Sequence, residues 1–236
     1  MAGTLYVGTS GFSYKEWKGL FYPEDLKDAN MLSYYASRLP SVEINYTFHR
    51  QPAETTIEKW LSQTPEEFRF TLKAHQRITH WLRLAGADEA VSVFLERAKT
   101  LGERLGAILF QCPPTLRYDR TLIESFLAYL PPTFRFAMEF RHSSWEEARD
   151  VLASQGVAWC VAETDEQEPD VFASEPFAYL RLRKTEYSDA DLELWAERVR
   201  SAVEGGRDVF CYFKHEEHGN APQAADRLVD LVSRST

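Results

Sequence analysis

The chain has 236 residues, with 27 Lys and Arg against 36 Asp and Glu, a net charge of −9, and 44% hydrophobic residues. This is the balance of a globular protein long enough to bury one large α/β core, and it excludes a disordered chain, a collagen and a coiled coil. The summed negative field also disfavours non-specific binding to nucleic acid or to an anionic membrane.

Short apolar runs alternate with longer amphipathic ones. Leu5–Gly8 reads as a strand, and Met31, Tyr34 and Tyr35 mark a helix over Asn30–Arg38. Ser41–Asn45 is the second strand. Thr55–Ser62 is helical, with Ile57, Trp60 and Leu61 on one side, and Phe68–Lys73 is the third strand. Val91, Phe94, Leu95, Ala98 and Leu101 recur at helical spacing before a fourth strand, Leu105–Gln111. A helix over Thr121–Leu130 leads to the fifth strand, Phe134–Glu139. The next helix starts at Ser143 or Ser144, where Glu146 or Glu147 completes a capping box, and stops at Gly156. Val157–Val161 and Ala178–Leu182 are the sixth and seventh strands. The polar connection Glu163–Pro176 between them shows no helical period. Ser188 caps a helix carrying Leu192, Trp195, Val199 and Val203 that ends at Gly205-Gly206. Asp208–Phe213 is the eighth strand, and a last helix runs from Ala221 to Val232.

Eight strands, nearly all followed by helices, imply a parallel sheet closed into a single (β/α)8 TIM barrel. An open dinucleotide-binding sheet would carry a G-x-G-x-x-G turn, and Gly8-Thr-Ser-Gly11 is not one. With no linker or low-complexity segment, residues 1–236 read as one domain. The first residues carry no basic n-region, and no apolar run approaches the ~20 residues of a membrane span. Cys112, Cys160 and Cys211 lack metal-ligand spacing and sit in or beside apolar runs. The expectation is therefore a cytoplasmic chain with reduced, buried thiols and no membrane partner.

Barrel chemistry sits at the carboxyl ends of the strands. Those ends carry Ser10, Glu43 and Asn45, Lys73 with His75 and His80, Gln111, Glu139 with Arg141 and His142, Glu163, Arg181 and Arg183, and Lys214 with His215 and His218. Lys73, Arg141, Arg181 and Lys214 would give an acidic protein one locally positive rim, suited to an anion. Glu43 and Glu139 form a candidate acid/base pair, or serve as counter-ions for Lys73 and Arg141. His75 and His142 are candidate bases or hydrogen-bond donors. Ser10, Asn45, Lys73, Gln111, Arg141, Arg181 and Lys214 are candidate ligand-holding residues. Ser10 lacks the G-x-S-x-G elbow of a nucleophile, and Gly8 and Gly11 permit a tight turn or a close approach. No cofactor is expected. A divalent metal has a weak case in the His215/His218 pair and the Glu/His mixture at the mouth. Phe12, Tyr14, Trp17, Phe21, Tyr22, Tyr46, Phe48 and Trp81 either stack on a ligand or plug the loops.

In chain order, Val7-Gly-Thr-Ser-Gly-Phe-Ser-Tyr14, Val42-Glu-Ile-Asn-Tyr-Thr-Phe48, Lys73-Ala-His75, Phe110-Gln-Cys-Pro-Pro114, Glu139-Phe-Arg-His-Ser-Ser-Trp145, Tyr179-Leu-Arg181 and Tyr212-Phe-Lys-His215 follow the pattern of a known family. The sequence resembles the DUF72, or YecE-like, family over almost its whole length. That resemblance implies a TIM barrel and no established activity. Where many relatives have His-Gly after the seventh strand and Asn-Asn at the eighth, this chain has Arg183-Lys184 and Lys214-His215, which add positive charge.

Three functional expectations follow. The leading one is an enzyme acting on a phosphorylated or otherwise anionic substrate, a sugar phosphate or a nucleic-acid phosphodiester. The second is a non-catalytic nucleotide or nucleic-acid binder, which would lose affinity steeply with salt. The third is a glycoside hydrolase using Glu43 and Glu139, although strands two and five lie nearly across the barrel, which widens the gap between them. Oligomeric state and protein partners are not legible.

Overall fold

Alternating apolar strands and amphipathic helices close around one axis in the computed structural model, which describes residues 2–166, 176–214 and 220–233. Among these residues the strands are β1 (Leu5–Thr9), β2 (Ser41–Ile44), β3 (Arg69–Lys73), β4 (Leu105–Gln111), β5 (Phe136–Glu139), β6 (Val157–Glu163), β7 (Ala178–Leu182) and β8 (Val209–Phe213). The α-helices are α1 (Met31–Ala36), α2 (Tyr46–His49), α3 (Glu54–Ser62), α4 (Asp88–Ala98), α5 (Arg120–Leu127), α6 (Arg149–Ser154), α7 (Asp189–Glu204) and α8 (Asn220–Ser233). All strand pairs are parallel, in the order β1-β8-β7-β6-β5-β4-β3-β2. This is the expected (β/α)8 barrel, nearly closed.

Period two divides each strand between the barrel interior and the helices. Ala107, Ala137 and Ala158 on β4, β5 and β6 leave room inside for Tyr179, Phe210 and Tyr212 from β7 and β8. The Tyr212 hydroxyl crosses to Ser41 Oγ and Thr71 Oγ1, both at 2.7 Å, on β2 and β3. The outward residues join the helices in a second, larger core that includes Val42, Phe70, Phe110, Met138, Leu180 and Trp195. Cys112, Cys160 and Cys211 are free thiols buried in these layers.

The seam between β1 and β2 differs from the rest. Among the described residues it carries a single backbone bridge, Ser10 with Glu43, in place of a ladder. The buried Tyr35 of α1 fills the gap: its hydroxyl accepts from the Thr9 N–H at 2.8 Å and donates to the Ser41 carbonyl at 3.0 Å. A buried donor and acceptor that miss the ladder are thereby satisfied. Gly8 makes this approach possible, since a Cβ there would stand 1.9 Å from the Ser41 oxygen. Gly11 has φ +104°, and its Cβ would stand 2.3 Å from the Tyr14 hydroxyl. Both glycines are thus required by close approach to protein atoms.

Three local elements depart from the sequence reading. The four-residue helix α2 follows β2 directly. Arg77–Trp81 after β3 forms a π-helical turn, followed by Arg83 and Leu84 at φ 53° and 69°. Before α6, the expected capping box gives way to a 3₁₀ turn over Ser143–Ala148 capped by the His142 side chain, which accepts from the Ser144 N–H, while Glu146 pairs with Arg149. The Ser188 cap does form, as a capping box with Asp191. The polar connection after β6 and the His215/His218 pair fall partly or wholly outside the described residues. Among those residues no helix is long and apolar enough to cross a membrane.

Candidate functional site

The interior-facing residue at the carboxyl end of each strand contributes to one layer at the barrel mouth. Ser10, Glu43, Lys73, Gln111, Glu139 and Arg181 all belong to it, and its centre is a buried ionic triad. Arg181, 5% exposed, donates Nη2 to Glu43 Oε1 at 2.9 Å and Nη1 to Glu139 Oε2. Glu43 also accepts from Ser10 Oγ at 2.8 Å and from Tyr179 Oη at 2.7 Å. Glu139 further accepts from Arg141 Nε at 3.1 Å and Arg183 Nη1 at 3.5 Å. Burying these charges is costly, and the pairing together with the extra hydrogen bonds offsets that cost.

Burial alone would raise the Glu139 carboxyl. Arg181, Arg141 and Arg183 outweigh it and hold the group at about 2. Burial likewise opposes the charge on Arg181, but Glu43 and Glu139 drive its pKa upward. The counter-ion reading of Glu139 with Arg141 is therefore what the geometry shows, whereas Glu43 pairs with Arg181 and not with Lys73.

Lys73 donates to the neutral Gln111 Oε1 at 2.8 Å, and its Nζ stands 4.0 Å from the centre of the Phe48 ring. Burial and the neighbouring Arg181 lower its pKa to about 8. The edge of the His80 ring meets the same Phe48 at 4.9 Å. Burial, then Lys73, Arg141 and Arg83, lower the His80 pKa, keeping that imidazole neutral. Asn45 Oδ1 and Arg181 Nε are buried at this level without a protein partner.

Two anticipated histidines have different settings. His75 accepts the Arg77 N–H on Nδ1 and places Nε2 3.2 Å from the His49 carbonyl, so the backbone engages both ring nitrogens away from the triad. His142 accepts from Ser144 through Nδ1 and lines a cleft of about 520 Å³ with Glu139, Arg141, Thr164 and Arg183. Of the triad, Glu139 lines this cleft. Lys214 is exposed and lines a separate 270 Å³ cleft with Lys184, Asn220 and Arg227. Glu163 faces outward, where it accepts from Tyr187 Oη at 2.8 Å and Trp195 Nε1 at 3.0 Å and anchors α7.

The aromatic loops divide the two expected roles. Trp17, Phe21 and Tyr22 are buried and form a plug, whereas Tyr46 and Trp81 are 48% and 65% exposed on the loops that follow β2 and β3. Sequence reasoning passed over Tyr179 as a site residue, and placed Phe48 and Arg183 at the mouth without a specific role. The signal for Tyr179 and Arg183 was strand parity: both are two residues from Arg181, on the same face.

The arrangement constrains the chemistry. A carboxyl held near 2 supplies no general acid at neutral pH, so Glu139 does not suit the acid role of a hydrolysing pair. The separation of Glu43 and Glu139 is also shorter than their strands suggest, because one guanidinium spans both and fills the gap. Among the described residues no three His, Cys, Asp or Glu side chains converge as around a metal ion. What the mouth offers is guanidinium groups, a Lys of lowered pKa and the His80 imidazole, whose pKa is also lowered.

Comparison with known proteins gives a consistent result. The sequence profile described as "Protein of unknown function DUF72" matches residues 6–236. The UPF0759 protein YecE of Escherichia coli K12 is 30% identical over 139 residues, 58% of this chain and 48% of that protein, so the match spans about half of that relative's length. The UPF0759 protein YunF of Bacillus subtilis is 23% identical, over 97% of this chain and 94% of its own. The crystal structure of a DUF72 family protein from Thermotoga maritima superposes with a TM-score of 0.87 at 28% identity, covering 97% of this chain and 99% of that one.

Proposed function

For a chain that belongs to the DUF72 family of proteins of unknown function, we propose an enzyme that binds a small anionic substrate, a phosphate ester or carboxylate, at the barrel mouth. One observation carries this reading. The cations Lys73, Arg141, Arg181 and Arg183 meet two carboxylates, Glu43 and Glu139, in a layer of a chain whose net charge is −9. Within that layer cations outnumber carboxylates, and low-dielectric walls focus the excess, while the adjoining cleft is also lined by Glu166 and by Glu146, which pairs with Arg149. Arg141 and Arg183, with side-chain exposures of 36% and 22%, reach into the 520 Å³ cleft and can present remaining N–H groups to an anion while anchored on Glu139. Guanidinium forks suit phosphate and carboxylate oxygens. Positive groups fixed before substrate arrives also stabilise negative charge as it builds in a transition state.

The roles divide accordingly. Glu43, Glu139 and Arg181 hold the layer in place, and Arg141 and Arg183 receive the anion. Lys73, with its pKa lowered to about 8, is a group whose protonation can change near neutral pH. The test is calorimetric titration with inorganic phosphate and sulfate, then with phosphosugars. The double variant Arg141→Ala/Arg183→Ala should lose at least tenfold in affinity while keeping the fold. An unchanged affinity, or no anion binding by the wild type, would sink the proposal. Tight binding of oligonucleotides that collapses with salt would favour the nucleic-acid reading.

A further inference from the structure

Every guanidinium in the mouth layer is anchored through part of its N–H set on a carboxylate: Arg181 on Glu43 and Glu139, Arg141 and Arg183 on Glu139. Lys73 is different. It is the last residue of β3 and lies on the interior face, two residues after Thr71, whose hydroxyl meets Tyr212 inside the barrel. Its Nζ binds the neutral Gln111 Oε1 at 2.8 Å, and among the described residues it forms no ion pair with a carboxylate. Gln111 is itself oriented, since its Nε2 donates to the Cys112 carbonyl at 3.2 Å and thereby turns Oε1 toward the lysine. The Phe48 face covers another side of Nζ at 4.0 Å. The neutral amine thus has an acceptor for one N–H and an aromatic face for another, which leaves its lone pair uncommitted on a half-buried side chain.

We propose that Lys73 is an imine-forming nucleophile for a carbonyl compound that also bears a phosphate or carboxylate. This deepens the anionic-substrate reading and rests on it. The anionic group would sit on Arg141 and Arg183, and the carbonyl carbon would meet Nζ. The nitrogen lone pair forms the C–N bond while the C=O π pair moves to oxygen. One nitrogen proton passes to the oxygen to give the carbinolamine; the nitrogen lone pair then expels the hydroxyl, and the oxygen leaves as water with the second nitrogen proton. One amine and one carbonyl give one imine and one water, and protonation of the imine takes one proton from solvent. A protonated imine withdraws electrons from the adjacent carbon, so the reaction class is proton transfer or C–C cleavage next to a carbonyl. Desolvation and a neighbouring cation are the general means of activating a lysine for this chemistry. With the amine held near 8, about a fifth is neutral at pH 7.4, on the order of 10²-fold more than for an exposed lysine.

Reductive trapping tests this. The whole protein is incubated with glyoxylate or dihydroxyacetone phosphate and cyanoborohydride, and the adducts are located by peptide mass mapping. The expected result is one adduct, on Lys73, formed at least tenfold faster than on any other lysine. It should be absent in Lys73→Arg and at least tenfold slower in Gln111→Glu at pH 7.5, because a carboxylate beside Nζ keeps it protonated. Adducts spread over exposed lysines such as Lys15 and Lys59, with Lys73 modified no faster than they are, would overturn the proposal from the wild-type map alone. Sulfate competition and calorimetry separate the two claims. If sulfate binds but no probe modifies Lys73, the imine falls and the anion site stands. If uncharged acetaldehyde modifies Lys73 as fast as glyoxylate does and sulfate neither binds nor slows it, the nucleophile stands and the anion site falls.

Discussion

Replacing Arg181 by Met leaves two buried carboxylates without the cation that joins them. The two groups are 0% and 1% exposed, so water cannot take its place. Glu139 sits at about 2 against an ordinary 4.5, a shift that corresponds to about 3 kcal/mol of native stability at neutral pH. Arg181 is the foremost of its three attractive partners. Glu43 would keep Ser10 and Tyr179 but lose the one cation that pairs with it among the described residues. Breaking a buried ion pair from one side generally costs about 3–5 kcal/mol, and that range is expected here at pH 7. It corresponds to a fall in Tm of about 2–4 °C per kcal/mol. The pH dependence is the sharper test. In the wild type, Glu139 contributes stability above about 4.5 and loses it as pH falls toward 2. In the variant, burial acts on Glu139 with only Arg141 and Arg183 to oppose it, so its pKa rises from the wild-type value and the defect narrows on acidification. Urea unfolding of both proteins between pH 7 and 4.5 measures this. A cost under about 1 kcal/mol at pH 7, or a defect that grows as pH falls, would refute the triad as the organising element of the mouth.

Other consequences are accessible to the same measurements. Gly8→Ala drives a Cβ to 1.9 Å from the Ser41 oxygen, and should cost about 3 kcal/mol or more or prevent folding; a loss below 1 kcal/mol would show that the seam yields easily. Tyr35→Phe strips the hydroxyl that joins Thr9 N–H to Ser41 O; about 2 kcal/mol or more should be lost, with faster hydrogen exchange at the Thr9 amide, and unchanged exchange there would contradict the assignment. Burial and Arg181 hold Lys73 near 8 against its ordinary 10.5, so the native state sheds that proton before the unfolded chain does. The stability of wild type relative to Lys73→Met should therefore rise between pH 8 and 10.5, by at most about 3 kcal/mol before solvent screening of the half-buried side chain; a flat difference would remove the basis for an activated lysine.

The barrel was legible because strand–helix alternation is a coarse signal that survives errors at element boundaries. Much of the site was legible for a related reason. Strand parity and the rule that barrel sites lie at carboxyl ends place Glu43, Lys73, Gln111, Glu139 and Arg181 in one layer. The pairing within the layer was not legible, because it depends on which strand faces which across the barrel. Lys73 lies opposite neither glutamate as a partner, and Arg181 reaches both. Loop residues failed for another reason. His75 turns onto the His49 carbonyl through the π-helical loop after β3, a backbone path that no side-chain period announces. Tyr35 carries an ordinary helical signature, yet it completes hydrogen bonds that β1 and β2 do not make with each other.

That substitution of a hydroxyl for a stretch of ladder gives the barrel a preferred line of parting. Elsewhere each neighbouring pair of strands is laced by several backbone bonds, but between β1 and β2 the cohesion rests on one tyrosine, one bridge and the Ser10–Glu43 hydrogen bond. The last of these belongs equally to the mouth layer. Whatever pulls Arg181 off Glu43 therefore loosens the same joint that keeps the cylinder shut, and whatever tightens that ion pair clamps it. The central ion pair of the mouth and the integrity of the wall are thereby joined through a single carboxylate.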